Sequence, residues 1–463
     1  MSHNASKREF LKRASAIAAT GVATPWALNL ASLAASSAHA AGNDYKALVC
    51  IFMYGGNDNH NTVVPLDAVS HAAYVAARGG SAGIALRDLN ALRATAVVPN
   101  NPWTDGREMA LHPQLSDLSR LFDAGQLSLV MNAGPLMKSG TTRDDFKNNV
   151  NMPPKLFSHN DQQSVWQAGA AEGANQGWGG RIGDMLMDDN GSASSFTCIS
   201  AAGNAVYLAG REVVQYQVST DGAIPVVNPV LGSSDAAVAL RDIMGLGSAN
   251  YFDAGHADLA KNAILYEGQV TAALQPVSTD LCRIKDNSLS NQLNIVARLI
   301  KANLGTKRQV FFVSLGGFDH HDGLLEQQQA LMAVVGPAMA KFQQAIDGMG
   351  LSKQVTTFTA SDFGRTLTSN GDGSDHGWGS HHMVMGGSVK PKSWVGQLPI
   401  FDGSAGGIAQ HQQVGNGRLL PYHSVEEYGA TFAKWAGVTP SELGSVFPNL
   451  GAFNTPDLGF LLP

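Results

Sequence analysis

Ala47-Leu48-Val49-Cys50-Ile51-Phe52 runs straight into Met53-Tyr54-Gly55-Gly56-Asn57-Asp58. A short apolar run closed by a glycine pair and a polar cluster reads as a buried parallel strand. The pattern recurs. Val310-Phe311-Phe312-Val313 precedes Gly316-Gly317-Phe318-Asp319-His320-His321, and Val355-Thr356-Thr357-Phe358-Thr359 precedes Ser361-Asp362-Phe363-Gly364-Arg365. Asp375-His376-Gly377-Trp378-Gly379-Ser380-His381-His382 follows soon after. In open α/β sheets, ligands bind beyond the carboxyl ends of the strands. Four segments would therefore carry aspartates and histidines to one edge. Carboxylates and imidazoles together are what a divalent metal site needs.

Outward from these strands, 112–122 reads as a helix with Leu115, Leu118 and Leu121 on one face. Residues 127–131 read as a further strand, and a helix is expected from Ser158 to Ala168. From about 188 to 230, Gly, Ser and Asn mix with short β-like pieces, which reads as an inserted flap. Helices are expected at 255–274 and at 287–303, where Leu289, Leu293, Val296 and Ile300 recur at helical spacing. Strand 309–314, helix 324–349 and strand 355–360 make a right-handed parallel crossover. Residues 368–377 read as a loop, and a last helix near 424–437 packs Tyr428, Phe432 and Trp435.

The ends and the composition narrow the class. Ser6-Lys7-Arg8-Glu9-Phe10-Leu11-Lys12, an apolar stretch and Ala38-His39-Ala40 read as an export signal over residues 1–40. It resembles a twin-arginine signal with Lys7 in place of the first arginine, so the twin-arginine machinery is an expected partner. The mature chain is expected to begin near Ala41, outside the cytoplasm, periplasmic or secreted. Losing four basic residues and one acid moves the formal charge from −6 to −9. No basic patch stands out, which argues against nucleic acid as a partner. No later stretch of about 18 apolar residues exists to span a bilayer. Cys50, Cys198 and Cys282 are too few and too far apart for a disulfide framework. Cys50 reads as a small buried apolar residue.

Each candidate residue has a plain alternative. Asp58 follows glycines that would let backbone approach a ligand, or it simply makes a turn. Asp319 and His321 share one side of an extended segment, or belong to a solvated polar loop. Asp362 would ligate metal while Arg365 binds an anionic oxygen, or the two form a structural pair. Asp375, His376, His381 and His382 place four ligand-type residues in eight positions. Ser158 is the candidate nucleophile at a helix start, where an anion is also stabilised. Alternatively Ser158 and Asp161 cap that helix. Lys138, Ser139, Thr141 and Thr142 are rival groups in the preceding loop.

Taken together, these stretches resemble the DUF1501 family across nearly the whole mature length. They are Gly55-Gly56-Asn57-Asp58 with Asn61-Thr62-Val63-Val64-Pro65, Leu156-Phe157-Ser158-His159, and the Gly316, Ser361 and Asp375 clusters. That family is similar in turn to the alkaline phosphatase and sulfatase superfamily. The resemblance implies an α/β fold with an alkaline-phosphatase-like, mostly parallel sheet flanked by helices. It implies one or two divalent ions (zinc, calcium, manganese or magnesium). It implies a serine nucleophile attacking an anionic ester, envelope-associated or not. Asp58, Ser158, Asp319 with His321, Asp362, and His376 or His382 match the superfamily order. Asp362 is followed by Phe363 rather than His or Asn, so Asp362 and Asp375 both stand as the late ligand. Ser158-His159-Asn160-Asp161-Gln162 lacks the pattern that matures a formylglycine, which favours phosphate over sulfate esters. The expectation is one metallohydrolase-like domain over 41–463, with metal held by Asp58, Asp319, His321, Asp362, Asp375, His376 and His382. Ser158 and Arg365 would act on the ester. The alternative is a non-catalytic envelope binding or assembly protein that keeps a structural metal site.

Overall fold

The first strand, Lys46–Met53, divides its side chains between two cores. Ala47, Val49, Ile51 and Met53 enter one apolar cluster; Leu48, Cys50 and Phe52 enter another. Strand side chains point to opposite faces in turn, so a strand apolar at every position needs cover on both sides. Strand Arg308–Leu315 splits likewise, with Phe311 and Val313 on one face and Val310 and Phe312 on the other. Helices Ser288–Ala302 and Leu324–Gly348 cover the first face. Helices Trp178–Leu186 and Val425–Ala436 cover the second, the latter burying Tyr428, Phe432 and Trp435. Cys50 is buried in this second core, and burial pushes its thiol well above the ordinary value.

The computed structural model describes residues 44–103, 105–225 and 251–463. The expected export segment and its cleavage site lie outside the described residues. A ten-stranded sheet organises the chain. In its middle, Val355–Ser361, Lys46–Met53, Arg308–Leu315, Cys198–Ser200 and Tyr216–Ser219 lie side by side and parallel. Met53 stands level with both Ser361 and Leu315. The three chains therefore leave the sheet at the same edge, as expected of an α/β fold with a mostly parallel sheet.

Other stretches differ from the sequence reading. Ser380–Met385 is a fully buried strand, antiparallel to both Val355–Ser361 and Leu127–Gly134. Polar letters at its start hide it, because His381 and His382 look like ligands. Residues 365–376 form a two-stranded antiparallel ribbon, Arg365–Ser369 against Ser374–His376, rather than a loop. In the described part of 188–230, Cys198–Ser200 joins the main sheet beside Arg308–Leu315. The 112–122 helix begins as a 3-10 turn at Pro113–Leu115 and continues as Ser116–Asp123.

Candidate metal centre

Three loops meet beyond the aligned strand ends, and glycines set how closely. A Cβ on Gly55 would lie 2.5 Å from the Asp319 backbone nitrogen, and one on Gly56 would strike the Phe363 ring at 2.4 Å. The glycine pair thus serves loop-on-loop packing rather than approach to a ligand. Ser361 ties the strand ends: its Oγ donates to Met53 O (2.6 Å) and accepts from Asn57 N (2.9 Å). Phe318, fully buried, donates its N–H to Tyr54 O (3.1 Å) and anchors the loop that carries Asp319.

Asp319 stands at the centre. Its side chain is 42% exposed, and four groups point at it. Arg365 Nη1 donates to Oδ1 at 2.6 Å. His376 Nε2 lies 3.2 Å and His321 Nε2 3.0 Å from the same oxygen. His159 Nε2 lies 3.2 Å from Oδ2. Partial burial works against ionisation, but the hydrogen bond and charge of Arg365, with His159 and His321, hold the carboxyl below its usual value. Ligand atoms of His159, Asp319 and His376 all lie within 4.8 Å of one another.

The far nitrogens of these rings settle their tautomers. His159 Nδ1 donates to Asp362 Oδ2 at 2.7 Å. His376 Nδ1 donates to the Phe157 carbonyl at 2.7 Å. Both partners are pure acceptors, so each Nδ1 carries the proton and each neutral ring keeps a bare Nε2 lone pair. Those lone pairs face carboxylate oxygens at 3.2 Å, and His321 Nε2 lies 2.9 Å from His376 Nε2. Acceptors facing acceptors need a cation or extra protons between them. The donor set of imidazole and carboxylate fits a divalent ion, and a second nitrogen tied to an oxygen acceptor is how metal-binding histidines are oriented. Burial, and then the nearby Arg365 charge, lowers the His376 pKa despite the Phe157 carbonyl. Asp362 instead raises the His159 pKa against burial.

Phe157 holds its carbonyl in place at φ 72°, a region that costs a bulky residue about 1–3 kcal/mol. Asp362 is fully buried and shared out: Oδ1 accepts from Gly55 N (3.1 Å), and Oδ2 also accepts from Gln163 Nε2 (2.8 Å). His159 and Gln163 are four residues apart on one helix, so both reach it from the same face.

The other expected residues divide. Asp375 faces this cluster, with Oδ1 3.5 Å from His321 Nδ1. Asp58 stands apart, because its carboxylate is taken by buried Arg78 and by the N–H groups of His60 and Asn61 at the start of a short helix. Burial is the largest influence on Asp58 and opposes its charge, but Arg78, His60 and the Asn61 N–H together outweigh it and the pKa is lowered. His382 also stands apart, packed against Trp166 and Tyr428 with neither ring nitrogen hydrogen-bonded. Ser158 precedes the His159–Ala168 helix but does not cap it; its Oγ donates to buried Asp161 Oδ2 at 2.9 Å. Arg365 is buried, with Nε on Ser374 Oγ (3.3 Å) and Nη2 on Ser374 O. His159 and Gln163 are the members that sequence reasoning missed.

Solved structures that resemble the chain at low identity are sulfatases and alkaline phosphatases. A sulfatase, PsFucS1 from Pseudoalteromonas sp., is 11% identical, with 96% of this chain and 77% of that one covered, at a TM-score of 0.36. BT4656, solved with its substrate D-glucosamine-2-N,6-O-disulfate, is 10% identical over 87% and 78%, at 0.31. The alkaline phosphatase of the Antarctic bacterium TAB5 is 10% identical over 76% and 95%, at 0.26. No curated protein matches the chain. Residues 276–412 match the family described as protein of unknown function (DUF1501), which bears out the resemblance over the Gly316, Ser361 and Asp375 clusters; the Gly55 and Leu156 stretches lie outside the matched range.

Proposed function

We propose that the chain is an exported metal-dependent hydrolase of phosphate esters, with sulfate esters less favoured. The carrying observation is that the Nε2 atoms of His159 and His376 face the two oxygens of Asp319 while their Nδ1 atoms are held by Asp362 and the Phe157 carbonyl. In this reading His159, Asp319 and His376 hold one divalent ion, with His321 beside them. Asp362 and Asp375 orient histidines instead of binding metal. Asp58 and His382 leave the ligand set, since Arg78 and the apolar core respectively account for them. A bound divalent ion would polarise the transferring group and lower the pKa of an oxygen beside it.

Ser158 is the proposed attacking group. Its Oγ bonds to phosphorus while the ester P–O bond breaks, and its proton passes to Asp161, whose Oδ2 already accepts it. The alcohol leaves with a proton from solvent, and water then releases the phosphate from serine. The ten-residue helix that begins at His159 adds partial positive charge at this end. The expected route is export as a folded precursor, and among the described residues no helix is long and apolar enough to cross a membrane.

One observation favours a non-catalytic envelope binding or assembly role. Arg365 already neutralises part of the Asp319 charge and locks its loop to Ser374, as a purely structural centre would. Elemental analysis of protein purified without added metal, followed by phosphate- and sulfate-ester turnover with zinc, calcium, manganese or magnesium, separates the readings. Bound metal without turnover of either ester class sinks the hydrolase.

A further inference from the structure

We propose that Arg418 is the residue that grips the anionic group of the substrate at this centre; the inference rests on the ester-hydrolase reading. Arg365 is the guanidinium that the sequence points to, yet it is buried and all three of its nitrogens are engaged by Asp319, Gly55 and Ser374. Arg418 is held just as firmly but keeps its working end free. Its Nε donates to the His376 carbonyl at 2.7 Å. Its guanidinium carbon lies 5.2 Å from the centre of the Phe157 ring. Phe157 in turn accepts the His376 Nδ1 proton, so Arg418, Phe157 and His376 brace one another.

That bracing leaves the two terminal nitrogens with no hydrogen bond to any described residue, on a half-buried side chain next to the cluster. Four N–H donors in a planar fork suit two oxygens of a phosphate or sulfate group. Asp375 is the carboxylate whose field reaches Arg418, but no ion pair joins them. The rival cation Lys155 is 69% exposed and already lies 3.5 Å from Asp161 Oδ1. A guanidinium fixed at Nε and stacked on an aromatic face loses little freedom on binding an anion.

The test uses the full chain, loaded with zinc, titrated with inorganic phosphate and separately with inorganic sulfate. Zinc affinity is measured on the same variants in metal-free form. Arg418→Gln is expected to weaken phosphate binding about tenfold to a hundredfold, with zinc affinity unchanged. Arg418→Lys keeps the charge without the fork and is expected to recover part of the loss; it carries the test alone if Arg418→Gln does not fold. Undiminished phosphate affinity in the variants overturns the proposal. So does a parallel fall of zinc and phosphate affinity, which would mean that Arg418 acts only on the His376 backbone. So does a wild-type protein that binds neither anion. If phosphate binding depends on Arg418 but no ester is turned over, the hydrolase reading fails and the anion site stands.

Discussion

Asp362→Asn separates the two roles open to this carboxylate. The side chain is fully buried and accepts three hydrogen bonds, from Gly55 N, His159 Nδ1 and Gln163 Nε2. An amide keeps one oxygen and turns an NH2 toward donors that need an acceptor. With the oxygen left on His159 and Gln163, the NH2 meets Gly55 N–H; turned round, it meets His159. Lost hydrogen bonds to a charged group imply about 1.5–3 kcal/mol of stability. If Asp362 only orients His159, zinc affinity falls about tenfold to a hundredfold, the usual effect of removing such a partner. If Asp362 binds the ion itself, zinc binding is lost outright. Titration calorimetry with zinc on the metal-free chain reads the difference, and thermal unfolding by circular dichroism reads the stability cost. Unchanged zinc affinity at a matched fold would refute the reasoning about His159, since among the described residues Asp362 is the hydrogen-bond partner of its Nδ1.

Ser158→Ala should abolish ester turnover while zinc stays bound, and should cost about 1 kcal/mol through the lost bond to Asp161; full turnover in this variant rules Ser158 out as the attacking group. His382→Phe should stabilise the protein by on the order of 1 kcal/mol, because both ring nitrogens of His382 are buried without partners. Burial lowers the His382 pKa from 6.5 to about 3, so stability is lost as pH falls from 6.5 toward 3, where only the unfolded state takes the proton. Unfolding curves of His382→Phe should flatten across that window; a slope equal to wild type removes His382 as a cause. N-terminal sequencing of the exported protein should start near Ala41, and an intact Met1 on a functional cytoplasmic protein would contradict export.

Much of the sheet was legible because strands buried on both faces announce themselves as unbroken apolar runs. Lys46–Met53, Arg308–Leu315 and Val355–Ser361 are of that kind, and their shared edge follows from parallel register. Ser380–Met385 was not legible, since histidines look the same whether they bind metal or pack beside Trp166. The convergence of Asp319, His321, Asp375 and His376 was legible, because they follow strand ends or glycines. Asp58 reads identically in one dimension, and only Arg78, twenty residues on, shows where its charge is spent. His159 was hidden by its neighbour Ser158, although His159 and Gln163 at helical spacing were the available signal.

The abutment of Gly55 on Asp319 also bears on when the centre can exist during synthesis. The three loops leave strands that end at Met53, Leu315 and Ser361, and His376 comes later still. A ribosome-bound chain that stops short of His376 cannot assemble the cluster, however well its first strand has formed. Contacts of such long sequence separation close late and slowly. An ion held there would therefore require strands Lys46–Met53, Arg308–Leu315 and Val355–Ser361 and the ribbon that carries His376 to be in place together.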